Sequence, residues 1–294
     1  MYLGVDIGGT FIKYGIIDEK NQVIKKWKKP TKLMETKEEF YDYLCEDLDK
    51  HEYKLIGVSA PGVIDSDSKV LSKASENVQI MHGTNVNEEV SKRVNKKVNT
   101  INDAKAAGYC EFLLGNGKGT ESSVYFIIGT GIGGCLCDKN GIIQGVNGIA
   151  GEFSAIALGT NRDKPQYFAS TASIPALVRI YNKRSNENLK YGIEVCEKYK
   201  KNEEVAIEAM NEWIDNICLC LHNIVLFFNP EVICLGGGIS EEEWFIELVR
   251  NKFINMDKVF MDICTTKIKS CLYSSDSNIL GAVLYSKEIE KHKN

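Results

Sequence analysis

Two glycine-tipped turns constrain the fold more than any other feature of this chain. They are Asp6-Ile7-Gly8-Gly9-Thr10 near the N-terminus and Gly129-Thr130-Gly131-Ile132-Gly133-Gly134 in mid-chain. Each follows a short apolar run, Tyr2 to Val5 and Val124 to Ile128 respectively. Each leads into another strand-like run rather than a helical one. Phe11 to Ile17 follows the first; Cys135 to Cys137, an Asn140-Gly141 turn and Ile142-Ile143 follow the second. Strand, glycine tip and strand make a β-hairpin. Two hairpins about half a chain apart predict two related lobes, each offering backbone N–H groups to an anion between them.

Gly-Gly is also ordinary hairpin punctuation, and one glycine-rich turn is usually only a turn. Here one turn carries an Asp shortly before its glycines and both carry a Thr, a combination that suits the phosphates of a nucleotide. Gly129, Gly131 and Gly134 also match G-x-G-x-x-G, with Glu152 downstream where a ribose ligand is expected. That fingerprint requires a helix to start at the loop and face the pyrophosphate. A hairpin starts there instead, which rejects the Rossmann reading. Gly115-Asn116-Gly117-Lys118-Gly119 lacks both the spacing of a P-loop and its Ser/Thr after Lys.

The 294 residues, 44% of them hydrophobic, suffice for two compact domains or one large one. A formal net charge of -4 argues against holding nucleic acid by its phosphates. The basic run Lys25-Lys26-Trp27-Lys28-Lys29 reads as an exposed edge strand, where lysines deter strand pairing. No apolar stretch is long enough to span a bilayer, and a strand begins at once at the N-terminus. The expectation is a cytoplasmic protein with no signal peptide and no membrane partner. Ten scattered cysteines, the closest pairs being Cys135-x-Cys137 and Cys218-x-Cys220, read as reduced and mostly buried thiols. No C-x-x-C occurs, and of His51, His82, His222 and His292 only His222 lies near a cysteine pair, two residues after Cys220 in an apolar segment, so no zinc site is expected.

The first half reads as three strands (2–29), a helix (36–50), a strand (55–59), a helix (86–96), a strand (98–101) and a helix (104–114). A linker at 116–119 precedes a second three-stranded meander from about Ser122, which predicts an internal duplication of a β-β-β-α-β unit. Residues 171–228 look helical, with Ala209, Trp213, Ile217, Cys220, Ile224 and Phe227 as a buried stripe ended by Asn229-Pro230. Strand Val232 to Leu235 runs into Gly236-Gly237-Gly238, then a helix opened by a Ser240/Glu243 capping box. A last helix starts near Asn278.

Six motifs in this order resemble the ROK family of sugar kinases. They are Asp6-x-Gly8-Gly9-Thr10-x-x-Lys13, Ser59-Ala60-Pro61-Gly62, Asn102-Asp103-Ala104, Gly129 to Gly134, Gly151-Glu152-Phe153 and Gly236-Gly237-Gly238. The resemblance implies an α/β, two-lobed actin-like or hexokinase-like ATPase fold, a ribonuclease H-like duplication with a central cleft. The implied lobes are 1–115 and 116–294, with the last helix packing back on the first. The chain opens on the phosphate strand, which favours the kinase branch over the repressor branch.

The implied roles follow from the same positions. Asp103 is the catalytic base that takes the proton of a sugar 6-hydroxyl; its alternative role is a helix N-cap, and both can hold together. Asp6 lies near Mg²⁺ or the γ-phosphate, unless it only caps its own turn. Gly8, Gly9, Thr10, Lys13, Gly129, Thr130, Gly131 and Gly133 bind phosphate, while Gly236, Gly237 and Gly238 flank adenosine. Lys13 is equally compatible with an ordinary solvated hairpin lysine. Gly62, Asn77, Asn102 and Glu152 contact sugar hydroxyls. ATP, Mg²⁺ near Asp6 and Asp103, a sugar substrate and a homodimer are the implied partners.

One departure bears on substrate. Many family members follow Gly-Glu-x with Gly-His and a cysteine-rich zinc segment ending in a sugar-binding Glu. Here Ala155 takes the His position, Gln166 the Glu position, and residues 150–175 hold no Cys or His. Zinc is therefore not expected. The lost contacts serve the C1/C2 end of the hexose, so N-acetylmannosamine or a β-glucoside is favoured over glucose. The competing class is a catalytically silent sugar-binding regulator.

Overall fold

The computed structural model describes residues 1–46, 48, 52–73, 75–161, 164–256 and 261–292. The chain divides into two compact units. One comprises Met1–Gly115, Gly141–Ala150 and Ser275–Asn294; the other Asn116–Asn140 and Gly151–Ser274. Compared with a single cut after residue 115, residues 141–150 and 275–294 thus belong with the first unit.

The first unit holds β1 (Tyr2–Ile7), β2 (Phe11–Ile17), β3 (Val23–Pro30), α1 (Lys37–Cys45), β4 (Leu55–Ala60), α2 (Val86–Val94), β5 (Lys97–Asn102) and α3 (Asp103–Leu114). The second half of the chain brings β6 (Ser122–Ile128), β7 (Ile132–Asp138), β8 (Gly141–Ile142), the hairpin β9 (Ala157–Asn161) and β10 (Lys164–Tyr167), and α4 (Phe168–Ala172). Then come α5 (Ile174–Ser185), α6 (Gly192–Lys200), α7 (Glu204–Phe228), β11 (Val232–Gly236), α8 (Glu243–Phe253), β12 (Lys267–Ser270) and α9 (Ser277–His292). The predicted helix over 36–50 covers Lys37–Cys45; positions 47, 49 and 50 lie outside the described residues.

Strand order is β3-β2-β1-β4-β5 in one five-stranded sheet and β12-β11-β6-β7-β8 in the other. Read from the meander inward, the two orders are the same, so the duplication is one of topology. In both, the strand before the glycine tip pairs antiparallel with the next strand and parallel with a later one, β1 with β4 and β6 with β11. The lysine-rich β3 is an edge strand, with Lys25, Lys26 and Lys28 exposed and Lys29 half-buried.

Helix α9 lies on the first sheet because that sheet has a bare strip. Gly15, Gly4 and Gly57 stand side by side across β2, β1 and β4. A Cβ at Gly4 would meet Ile279, and one at Gly57 would meet the Ala282 carbonyl. The absent side chains let helix backbone approach strand backbone.

In the second unit α7 supplies the central helix of the core. Ala209, Trp213, Ile217, Cys220 and Ile224 are buried as their spacing predicts, and Trp213 Nε1 donates to the Ser173 carbonyl at 3.0 Å. Phe227 corrects that stripe: it is 92% exposed. Periodicity gives the face of a helix, not where its neighbours end, and Phe227 sits in the last turn before the left-handed Asn229. The capping box at Ser240 is also corrected. Residues Gly238–Glu241 form a 3-10 turn in which Ser240 Oγ donates back to the Gly237 carbonyl at 2.7 Å. Helix α8 then starts at Glu243 without a side-chain cap.

Candidate active site

In the first unit the predicted residues gather at the carboxyl ends of β1, β4 and β5, where parallel strands present ligand sites. Asp6 is buried next to the end of β1. Its Oδ1 accepts from Ser59 Oγ at 2.9 Å and Asn278 Nδ2 at 3.0 Å, and its Oδ2 lies 3.4 Å from Lys13 Nζ. Lys13 stands opposite Asp6 in the β1–β2 register, with its side chain 43% exposed. Asp6 therefore does not cap its own turn; it is held by strands β2 and β4 and by helix α9. Asn278 lies 272 residues away from Asp6 along the chain, and no local motif signals it.

The loop Gly8–Thr10 has its carbonyls tied back. Thr31 Oγ1 donates to Gly8 O at 2.6 Å, Asn77 Nδ2 to Gly9 O at 2.9 Å, and Thr31 N to Thr10 O at 2.9 Å. The Gly9 and Thr10 N–H groups have no acceptor among the described residues. A loop with its carbonyls satisfied and its amides open is suited to an anion. Thr31 was not singled out in the sequence. Asn77, expected at a sugar hydroxyl, commits its amide nitrogen to this loop.

Asp103 is the first residue of α3, not its cap. The cap is Asn102, whose Oδ1 accepts from Lys105 N at 3.1 Å. Asn102 Nδ2 donates to Gly62 O and to Asp103 Oδ1, both at 2.9 Å, and Asp103 Oδ1 also accepts from Ala104 N at 2.7 Å. Asn102 thus fixes both Gly62 and the Asp103 carboxylate. Register pairs Asp6 with Ser59 and Ala60 with Asn102. Asp6 and Asn102 are therefore separated by two strand spacings, about 10 Å. Behind them Lys105, buried in α3, donates its Nζ to the Gly148 carbonyl and pins the 141–150 segment in the first unit.

The second unit repeats the device at the ends of β6 and β11. Gly129 N donates to Gly131 O at 3.0 Å, and Ile174 N, at the start of α5, donates to Gly129 O at 3.0 Å. The Thr130 and Gly131 amides have no acceptor among the described residues. Gly133 lies in β7 opposite Ile127, and Gly236 in β11 is opposite the same residue from the other side. Gly237 follows at φ 92°, and a Cβ there would meet the Ile128 carbonyl, so only glycine fits. Gly238 opens the 3-10 turn with free space around it. The glycine triplet and the second hairpin therefore share one end of one sheet. Glu152 starts a short 3-10 turn, where Gly151 packs on Gly134 of β7. Ala155 and Gln166 are both exposed.

Two topologically equivalent sheets, each with a glycine hairpin at the carboxyl end of its first strand, define the hexokinase-like ATPase fold. The ROK family pattern matches residues 2–289, and the chain belongs to the ROK family. It is similar to a glucokinase of Thermotoga maritima, 26% identical over 309 residues and covering 97% of each chain. It is also similar to a beta-glucoside kinase of Listeria innocua, 25% identical over 290 residues and covering 95% of each. Among solved structures, a ROK family protein of Streptococcus pneumoniae in complex with sucrose superposes with a TM-score of 0.88 at 26% identity, covering 99% of each chain. The chain is an ATP-dependent carbohydrate kinase.

Proposed function

We propose that this kinase transfers the γ-phosphoryl group of ATP to the 6-hydroxyl of a hexose derivative, with N-acetylmannosamine or a β-glucoside preferred over glucose. The observation that carries the reading is the Asp103 carboxylate, fixed by Asn102 and the Ala104 amide at the end of β5, two strands across the same sheet end from β1 and its amide-presenting Gly8–Thr10 loop. Asp103 accepts the 6-hydroxyl proton as that oxygen forms its bond to the γ-phosphorus and the bond to the ADP oxygen breaks. The Gly9, Thr10, Thr130 and Gly131 amides bind phosphate oxygens, Lys13 adds a positive charge, and Gly236 to Gly238 accept the adenosine. Phosphoryl transfer depends chiefly on positioning and charge neutralisation, which these groups supply.

Asp6 fits a Mg²⁺ ion, because one buried carboxylate leaves most ligand positions to phosphate oxygens and water. No cluster of three or more His, Cys, Asp or Glu able to cage a metal exists among the described residues. When bound, the ion neutralises phosphate charge beside Asp6 and Asp103. With no Cys or His in 150–175, we expect no stoichiometric zinc on elemental analysis.

The substrate preference rests on Ala155 and Gln166, which replace an imidazole and a carboxylate and so remove strong hydroxyl partners at the C1/C2 end. The glucokinase and the beta-glucoside kinase are nearly equidistant relatives, so identity does not choose between glucose and a glucoside. The sucrose complex of the pneumococcal protein supports a site with room beyond one ring. No helix among the described residues is long and apolar enough to cross a membrane; a cytoplasmic location is part of the reading proposed here. The reading includes a homodimer, for which exposed Leu226 and Phe227 on α7 offer an apolar surface.

A coupled ADP-release assay over glucose, N-acetylmannosamine and a β-glucoside tests the proposal. Sugar-dependent ADP release with the highest kcat/KM on one of the last two is expected. Sugar binding without turnover would instead indicate a silent regulator, and ADP release that ignores sugar a plain ATPase. A clear preference for glucose would overturn the substrate assignment.

A further inference from the structure

The Gly8–Thr10 loop belongs to the first unit, as do the two side chains that hold it, Thr31 and Asn77. A trans peptide group is planar, with its C=O and N–H pointing in opposite directions. The Gly8 carbonyl shares its plane with the Gly9 N–H. The bond from Thr31 Oγ1 to Gly8 O at 2.6 Å therefore fixes where the Gly9 N–H points. The Gly9 carbonyl shares its plane with the Thr10 N–H, so the bond from Asn77 Nδ2 at 2.9 Å fixes that amide in the same way. The Gly8 N–H is itself used, donating to Phe11 O at 3.1 Å, and Thr31 N closes the turn on Thr10 O at 2.9 Å. Little else holds these planes. The Gly8–Gly9 peptide group is flanked by two residues with no Cβ, so its rotation meets almost no steric barrier. Thr31 is buried just past the end of β3, and Asn77 is half-buried in the 3-10 turn Glu76–Met81. An ordinary hairpin tip leaves such carbonyls to water; here two side chains from elsewhere in the unit are committed to them.

We propose that Thr31 and Asn77 are positioning residues for phosphoryl transfer, each aiming one amide of the loop, Thr31 that of Gly9 and Asn77 that of Thr10. This rests on the kinase reading above, in which those amides bind phosphate oxygens of ATP. Each side chain acts through the peptide plane it holds, so that the donors are aimed before ATP arrives and need not reorganise around it. Asn77 thereby has a task other than the sugar hydroxyl expected from the sequence.

The test uses the full-length protein and three variants, with Mg²⁺-ATP and adenosine as calorimetric ligands. Thr31→Val keeps the shape of the side chain and the backbone N–H but removes the donor, whereas Thr31→Ser keeps the donor. Asn77→Ala probes the second amide at a half-buried position outside the core, and so decides the matter even if Thr31→Val fails to fold. We expect Thr31→Val and Asn77→Ala each to weaken ATP binding by about tenfold or more, as for a lost charged hydrogen bond. Adenosine, which has no phosphate, should be weakened by less than about twofold, and Thr31→Ser should recover most of the ATP affinity. Equal weakening for ATP and adenosine, or Thr31→Ser as weak as Thr31→Val, would show that the clamp only supports the hairpin and would overturn the inference. Unchanged ATP affinity in Asn77→Ala with a raised sugar KM would overturn it in favour of a sugar contact. Failure of the kinase reading shows separately, as native protein that releases no ADP with any of the sugars above.

Discussion

Asp103→Asn separates chemistry from stability at one residue. The substitution keeps the shape of the side chain and an oxygen able to accept from the Ala104 amide and from Asn102 Nδ2, which lie at 2.7 and 2.9 Å. The helix cap is Asn102 and is untouched. What is lost structurally is one negative charge in the first turn of α3, about 0.3–1 kcal/mol. For a chain of this size that moves Tm by at most about 2–4 °C. What is lost chemically is the base, usually worth about 10²–10⁴ in rate. A hundredfold loss corresponds to about 2.7 kcal/mol of barrier, well above the stability change. Turnover should therefore fall by about 10²-fold or more while Tm and calorimetric ATP affinity stay close to native. Asn102→Ala should lower both Tm and turnover. It removes the cap and the ties to Gly62 and Asp103, costing about 0.5–2 kcal/mol from the cap alone. Near-normal turnover of Asp103→Asn would refute the assignment of the base.

Other outcomes follow from the same contacts. Asn278→Ala removes one of two donors to the buried Asp6 carboxylate, and we expect about a tenfold fall in kcat/KM for ATP with the sugar KM unchanged; an unchanged ATP profile would separate Asp6 from the nucleotide. Gly57→Ala drives a Cβ into the Ala282 carbonyl under α9 and should cost about 1–3 kcal/mol in denaturant melts, whereas Gly159→Ala, which meets nothing, should be neutral. Eight of the ten cysteines are buried, and burial pushes the Cys196 thiol up to about 11 and the Cys218 thiol up to about 12. A thiol reagent near neutral pH should thus label only the half-buried Cys264 and Cys271 quickly, and all ten once the chain is denatured; fast labelling of more would show that the core opens.

Local pattern determined the elements that local physics specifies. Two glycine tips between apolar runs fix hairpins, because only a tight turn reverses strands over so few residues, and the same order of elements after each hairpin marks the duplication. Tertiary structure decided everything that depends on which distant residues meet. The clamp on the first loop comes from Thr31 and Asn77, the grip on Asp6 from Ser59 and Asn278, and the seat of α9 from three glycines on three different strands. Where a cap was one reading of Asp103, only the structure could assign the cap to Asn102 instead. The exposed Phe227 and the 3-10 turn at Ser240 depart from their local patterns for a related reason. Periodicity and capping signals describe a segment in isolation, whereas burial and helix starts depend on where the rest of the chain lies.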